Sequence, residues 1–168
     1  RIVVALGGSA TNDGGAGALQ ALGAVLRGAP CPACARDLTD VSAVDVSAMD
    51  PRLSTTELVA LCDVDSPLTG PDGATRVFGP QKGLAPSDAL PLDHALDRFA
   101  SHFDFDPRAP GAGAAGGLGF GLAAAAGDED VVRVRLRGRP VRNEVGKDAV
   151  LQRFEIVESH RPGERKGR

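Results

Sequence analysis

Ile2-Val3-Val4-Ala5-Leu6 breaks directly into Gly7-Gly8-Ser9-Ala10-Thr11-Asn12-Asp13-Gly14-Gly15, and an Ala/Leu-rich segment follows. The apolar run reads as a strand and the Ala/Leu segment as a helix, which makes the stretch a strand–loop–helix unit of an α/β protein. Glycine lets the backbone approach a ligand closely, and unpaired amides at a helix N-terminus favour a phosphate or carboxylate. The loop adds two hydroxyls, an amide and a carboxylate, groups that position a substrate or a metal ion. It is therefore a candidate reaction site rather than only a turn. It lacks G-x-x-x-x-G-K-[ST], so it is not a Walker P-loop.

Working outward, Leu19, Leu22, Val25 and Leu26 recur at three- and four-residue steps, which predicts a helix over 16–26 with Asp13, Gly14 and Gly15 at its N-terminal end. Residues 27–40 read as loop, 41–46 as a short alternating strand, and 57–62 as a buried strand running into Asp63-Val64-Asp65. From Ser66 to Ala85 the Pro and Gly residues predict a long irregular segment, of the kind that in compact domains carries function. Residues 89–103 predict a helix with Leu90, Leu92, Ala95, Leu96 and Phe99 facing inward, followed by loop over 104–110. A second glycine cluster, Pro110 to Gly121, precedes an alanine-rich helix through Ala126. Gly111-Ala112-Gly113-Ala114-Ala115-Gly116 satisfies G-x-G-x-x-G, but loop rather than strand precedes it, which argues against a dinucleotide site.

The 168 residues suffice for one domain with a hydrophobic core. No stretch approaches the roughly 18 apolar residues of a membrane span, so no membrane partner is expected. Opening at Arg1, directly ahead of a strand, the chain is expected to be a fragment of a longer protein. Residues 1–127 carry a net charge of −6 and residues 128–168 one of +3, a shift that marks a boundary near Gly127. The basic tail has a single aromatic residue, Phe154, and no basic motif, so no nucleic-acid partner is expected. Cys31, Cys34 and Cys62 are an odd number and suggest no disulfide framework, which fits a reducing cytoplasm. Cys31-Pro-Ala-Cys34 has the C-x-x-C spacing but no second ligand pair, and is read as incidental.

Three blocks recur in order: Ala5 to Gly17; Cys62 to Pro71 with Val77-Phe78-Gly79-Pro80-Gln81-Lys82-Gly83; and Pro110 to Gly119. Together they resemble the type I glycerate kinase family, and Met49-Asp50-Pro51-Arg52-Leu53 is similar to its spacer between the first two. The resemblance covers residues 1 to about 126. It implies an ATP-dependent kinase phosphorylating D-glycerate, built from two α/β domains, one flavodoxin-like, of which residues 1–127 form a central part. The family's opening segment, with an Asp-Ser-Phe-Lys-like motif, and its later Gly-Glu-Gly-Arg block have no counterpart here, which puts catalysis by this isolated chain in doubt. Ser66 stands where the family usually has Asn; both hydrogen-bond, so the loop is expected to survive.

Past Gly127 the family continues with a hydrophobic, acidic segment, whereas this chain reads Val132-Arg133-Val134-Arg135-Leu136-Arg137-Gly138-Arg139-Pro140. Codons for that run can be chosen so that the frame one base later encodes family-like residues. A frameshifted tail is one expectation; an edge hairpin or disorder is the other.

Phosphoryl transfer needs positioning and charge neutralisation, and Mg²⁺ takes one or two carboxylates plus substrate phosphates. Asp63 and Asp65, spaced i, i+2 at a strand end, project to one side if the strand persists, as metal or substrate-hydroxyl ligands. The plain alternative is that they cap a turn. Lys82, the only lysine in the first 146 residues, sits in a glycine-rich loop suited to a phosphate or a glycerate carboxylate, or is simply a surface lysine. Asp13 is either a helix cap or a ligand contact. With Asp63 and Asp65 it is also a candidate base for the glycerate hydroxyl. The expected catalytic set is Asp13, Asp63, Asp65 and Lys82, with Asp63 and Asp65 as Mg²⁺ ligands. The expected binding set is Gly7, Gly8, Ser9, Thr11, Asn12, Gly14, Gly15, Gln81, Gly113, Gly116 and Gly117. ATP, Mg²⁺ and glycerate are the expected partners, and a homo-oligomer stays open. His94, His102 and His160 are read as surface residues. A truncated, non-catalytic chain and an unrelated anion- or nucleotide-binding module are the competing readings.

Overall fold

A computed structural model describes residues 1–125, together with the backbone of 133–137. Strand β1 (Ile2–Ala5) leads through the opening loop into helix α1 (Ala16–Ala21), then β2 (Val25–Arg27), β3 (Ala43–Asp45) and β4 (Glu57–Leu61). Helices α2 (Ala74–Phe78), α3 (Pro86–Ala100) and α4 (Ala114–Ala125) follow, and β5 (Arg133–Arg137) closes the order. Short 3₁₀ turns occupy Ala35–Asp40, Pro51–Thr55 and Pro80–Lys82. The α/β expectation holds.

Strands β1, β4 and β5 form a parallel sheet with β4 in the centre, pairing Ile2 with Leu58 and Leu58 with Val134. Successive residues of a strand point to opposite faces, so the burial of Leu58, Val59 and Ala60 alike shows that β4 is covered on both sides, as parallel strands usually are. β1, by contrast, leaves Ile2 and Val3 about half exposed. Among the described residues the run at 133–137 is an edge strand that pairs in parallel with β4; the partner of the expected hairpin falls outside them.

Several expectations shift for local reasons. The helix over 16–26 stops at Ala21 because Gly23 turns the chain at φ 104°, and Val25 and Leu26 then pair antiparallel with Asp45 and Val44. The predicted loop at 27–40 holds a 3₁₀ turn, and the irregular segment at 66–85 contains α2 and another. α3 opens earlier than expected, with Pro86 in its first turn, where the missing N–H is harmless. Ala95, Leu96 and Phe99 are buried as expected, whereas Leu90 is half exposed. Within α4, Ala115, Gly116 and Gly117 take left-handed φ values of 52°, 70° and 92°, so regular helix begins after them.

The core gathers Leu19, Leu38, Leu68, Leu96, Phe99 and Phe120, all essentially inaccessible. Phe99 stacks edge-on to Phe103, and Phe103 and Phe105 edge-on to Phe120, joining α3 to α4.

Candidate functional site

The opening loop is held from within. Asp13 is buried, and its carboxylate oxygens accept the amides of Gly15 (3.1 Å) and Gly17 (3.2 Å). It therefore caps α1, and the partial positive charge at that helix end is met by the chain's own carboxylate. The amides of Gly14, Gly15, Ala16 and Gly17 at the start of this helix are thus engaged within the chain. Asn12 also turns inward, its Nδ2 donating to Thr75 Oγ1 at 3.0 Å, while its Oδ1 is buried without a hydrogen-bond partner among the described residues.

Lys82 ends the 3₁₀ turn at 80–82, where Gly83 reverses the chain at φ 85°. Its ammonium reaches back to the opening loop, donating to Ser9 Oγ at 3.0 Å and to the Thr11 carbonyl. Burial holds the Lys82 amine below its ordinary value of 10.5, and the Asp13 carboxylate partly offsets this. Lys82 is thus not a plain surface lysine.

The second glycine cluster closes the arrangement by close backbone approach. A Cβ on Gly116 would lie 2.0 Å from the Thr11 carbonyl oxygen and 2.8 Å from Lys82 Nζ, and one on Gly117 2.5 Å from Gly14 Cα. The Gly14 amide donates to the Gly116 carbonyl at 3.1 Å, and the Gly113 amide to the Ser66 carbonyl at 2.8 Å. Gly15 packs on the backbone of Gly121 and Leu118. The three sequence blocks therefore meet around Lys82. Gly7 and Gly8 are exposed with open space around them, and Gln81 is exposed beside Lys82.

Asp63 and Asp65 stand apart in one respect. β4 ends at Leu61, so strand alternation does not reach them and does not align their side chains. Both are exposed. No group of three or more His, Cys, Asp or Glu suited to hold a metal occurs among the described residues. A pair of free carboxylates still fits Mg²⁺, which takes one or two carboxylates and completes its shell with water and phosphate. Next to them, burial and the Asp63 charge push the Cys62 thiol up.

His94 and His102 are exposed, as expected; His160 lies outside the described residues. Cys34 donates its thiol to Asp37, which caps the 3₁₀ turn at 35–40, so it has a structural use. Sequence reasoning missed Thr75, fully buried, and Asp93, buried on α3 with its carboxylate accepting the Gly70 amide at 3.2 Å. Pro71-Asp72-Gly73 ahead of Ala74-Thr75 is a helix-start signal that would have exposed the first. A cavity of about 490 Å³ lies between Thr69, Gly70, Asp93, Asp97 and Arg108 and includes none of the expected site residues.

The model of the glycerate kinase family matches residues 1–157. The chain belongs to the glycerate kinase family. Among relatives, a Bacillus subtilis glycerate kinase is 48% identical over 130 residues, covering 70% of this chain and 33% of the relative. An Escherichia coli glycerate 2-kinase is 44% identical over 130 residues with the same coverage. The crystal structure of a protein assigned as glycerate kinase 2 from Salmonella typhimurium LT2 superimposes with a TM-score of 0.70 at 43% identity, covering 79% of this chain and 38% of that one. This glycerate kinase family chain thus spans about a third of the length of the curated relatives it matches. No helix among its described residues is long and apolar enough to cross a membrane.

Proposed function

We propose that this chain supplies one wall of a kinase site that transfers a phosphoryl group from ATP to a hydroxyl of D-glycerate, in a cytoplasmic enzyme longer than the residues seen here. The observation that carries this is the convergence of the three glycine-rich blocks on the half-buried Lys82 ammonium, a fixed cation beside exposed, open backbone at Gly7 and Gly8. Such a point charge suits a transferred phosphoryl group or the glycerate carboxylate, and its fixed position removes reorganisation from the reaction. Ser9 and Thr11 hold Lys82 in place and Gln81 flanks it, while Gly113, Gly116 and Gly117 bring the backbone close. Asp63 and Asp65 are the carboxylates free to ligate Mg²⁺ or to accept the hydroxyl proton, whereas Asp13 orients α1 and faces Lys82. Bound ATP with Mg²⁺ supplies the phosphoryl group and neutralises its charge.

The boundary near Gly127 belongs to the same proposal. The relatives' matches, over 70% of the chain, support it, while the family match through residue 157 favours a tail that belongs to the family over a frameshifted one. Sequencing the coding DNA decides between them. The function itself is tested by glycerate-dependent ADP release from Mg-ATP, measured on this chain and on the neighbouring coding sequence joined in frame. Activity in the joined form is expected; no turnover in either form would sink the kinase reading.

A further inference from the structure

Besides the Lys82–Ser9 bond, two links at adjacent residues join the opening loop to the segment that carries Lys82. One is the Lys82 ammonium on the Thr11 carbonyl; the other, starting at the next residue, is Asn12 Nδ2 donating to Thr75 Oγ1. At the far end the two are also neighbours, because the Thr75 carbonyl accepts the Gly79 amide and the Gly79 carbonyl accepts the Lys82 amide at 2.9 Å. A closed ring results: Thr11, Asn12, Thr75, Gly79, Lys82 and back to Thr11. Thr75 is wholly inaccessible and Asn12 is nine-tenths buried. Their bond is therefore shielded from water, which gives it more directional hold than a surface contact.

We propose that Thr75, acting through Asn12, is a positioning residue that sets where the Lys82 ammonium stands over the opening loop. This rests on the role of Lys82 proposed above and adds a residue that touches neither phosphate nor glycerate. The composition of the ring supports it. Asn12 keeps a buried carbonyl oxygen without a hydrogen-bond partner among the described residues, a cost that the fold bears while it holds the Nδ2 bond. The charged side chain facing Lys82 is Asp13, which is fixed separately by the Gly15 and Gly17 amides. Removing the Thr75 hydroxyl thus alters the tether without altering that charge.

The test uses Thr75→Val, nearly the same shape without the hydroxyl, and Thr75→Ser, which keeps it. In the 168-residue chain, lysine labelled at Cε and Nζ reports the Lys82 titration by NMR, with the signal assigned by its loss in Lys82→Arg. The expected result is a midpoint that rises towards the ordinary lysine value in Thr75→Val and stays at the wild-type position in Thr75→Ser. In the joined enzyme Thr75→Val is expected to lower kcat about tenfold, with KM for glycerate little changed. A folded Thr75→Val whose Lys82 titrates as in the wild type overturns the proposal. If Thr75→Val does not fold, Asn12→Leu cuts the same bond from the other end, and failure of both to fold assigns the bond a purely structural role and also overturns it. Absence of glycerate-dependent turnover in the wild-type joined enzyme would defeat the kinase reading alone, since the NMR result stands independently of it.

Discussion

At the scale of single residues, the glycines divide into those that must be glycine to fold and those free for a ligand. Gly116 has no room for a methyl group and has a left-handed φ, so Gly116→Ala is expected to cost about 2–5 kcal/mol in urea unfolding. Gly7 has open space and an ordinary backbone, so Gly7→Ala should leave stability within about 0.5 kcal/mol while impairing turnover of the joined enzyme, if a ligand passes there. A Gly7→Ala enzyme of unchanged kcat and KM would remove Gly7 from the binding set. Lys82 carries a pH signature. Its folded value lies below the unfolded one, so the unfolded chain binds that proton more tightly. The resulting penalty is fully present below the depressed folded value and is relieved as pH climbs from there towards 10.5. Urea denaturation of wild type and Lys82→Met at about pH 7 and about pH 10 should show the wild type gaining on the variant at the higher pH. A gap that widened the other way would contradict the burial of the ammonium. The sequence made Lys82 visible as a lone lysine among glycines, but not its return to Ser9 and Thr11, because a contact across 71 residues leaves no local pattern.

At the scale of elements, α1 shows where periodicity misleads. Leu19, Leu22, Val25 and Leu26 keep helical spacing, yet Gly23 sits where a Cβ would meet the Ala48 carbonyl at 2.7 Å, and the last two side chains belong to a strand. The apolar pattern was legible; the break was set by tertiary contact. α2 escaped notice because five residues between Gly73 and Gly79 are too few to build a pattern. The cap of α1 separates two roles for Asp13. Asp13→Ala should destabilise the chain by about 0.5–2 kcal/mol through loss of the Gly15 and Gly17 bonds, and Asp13→Asn should recover part of this. In the joined enzyme an Asp13→Asn variant that is stable but inactive would assign Asp13 the base role. One that is stable and active leaves proton acceptance to Asp63 or Asp65.

For the whole molecule, strand β4 is sheathed on both faces while β1 leaves Ile2 and Val3 half exposed, and the chain spans about a third of its relatives' length. The opening strand–loop–helix unit was readable because its parts lie consecutively at residues 2–21; the parallel order β1-β4-β5 was not, since it joins segments more than fifty residues apart. The strand ladders join those segments, and an aromatic cluster ties α3 to α4 and to the opening loop. Phe99 is fully buried on α3, stacks on Phe103, and has its ring against Gly14, where a Cβ would come within 3.0 Å of Phe99 Cδ1. One side chain therefore supports both the helix core and the floor of the opening loop. Phe99→Ala removes the ring from both at once and is expected to cost about 3–5 kcal/mol, because the glycine backbone opposite has no side chain to fill the cavity. Phe99→Leu keeps most of the volume and should cost markedly less. Urea unfolding followed by circular dichroism measures both. If the core and the loop form one cooperative unit, the two variants shift the midpoint of a single transition without splitting it; a second transition in Phe99→Ala would show that the loop is supported independently of α3.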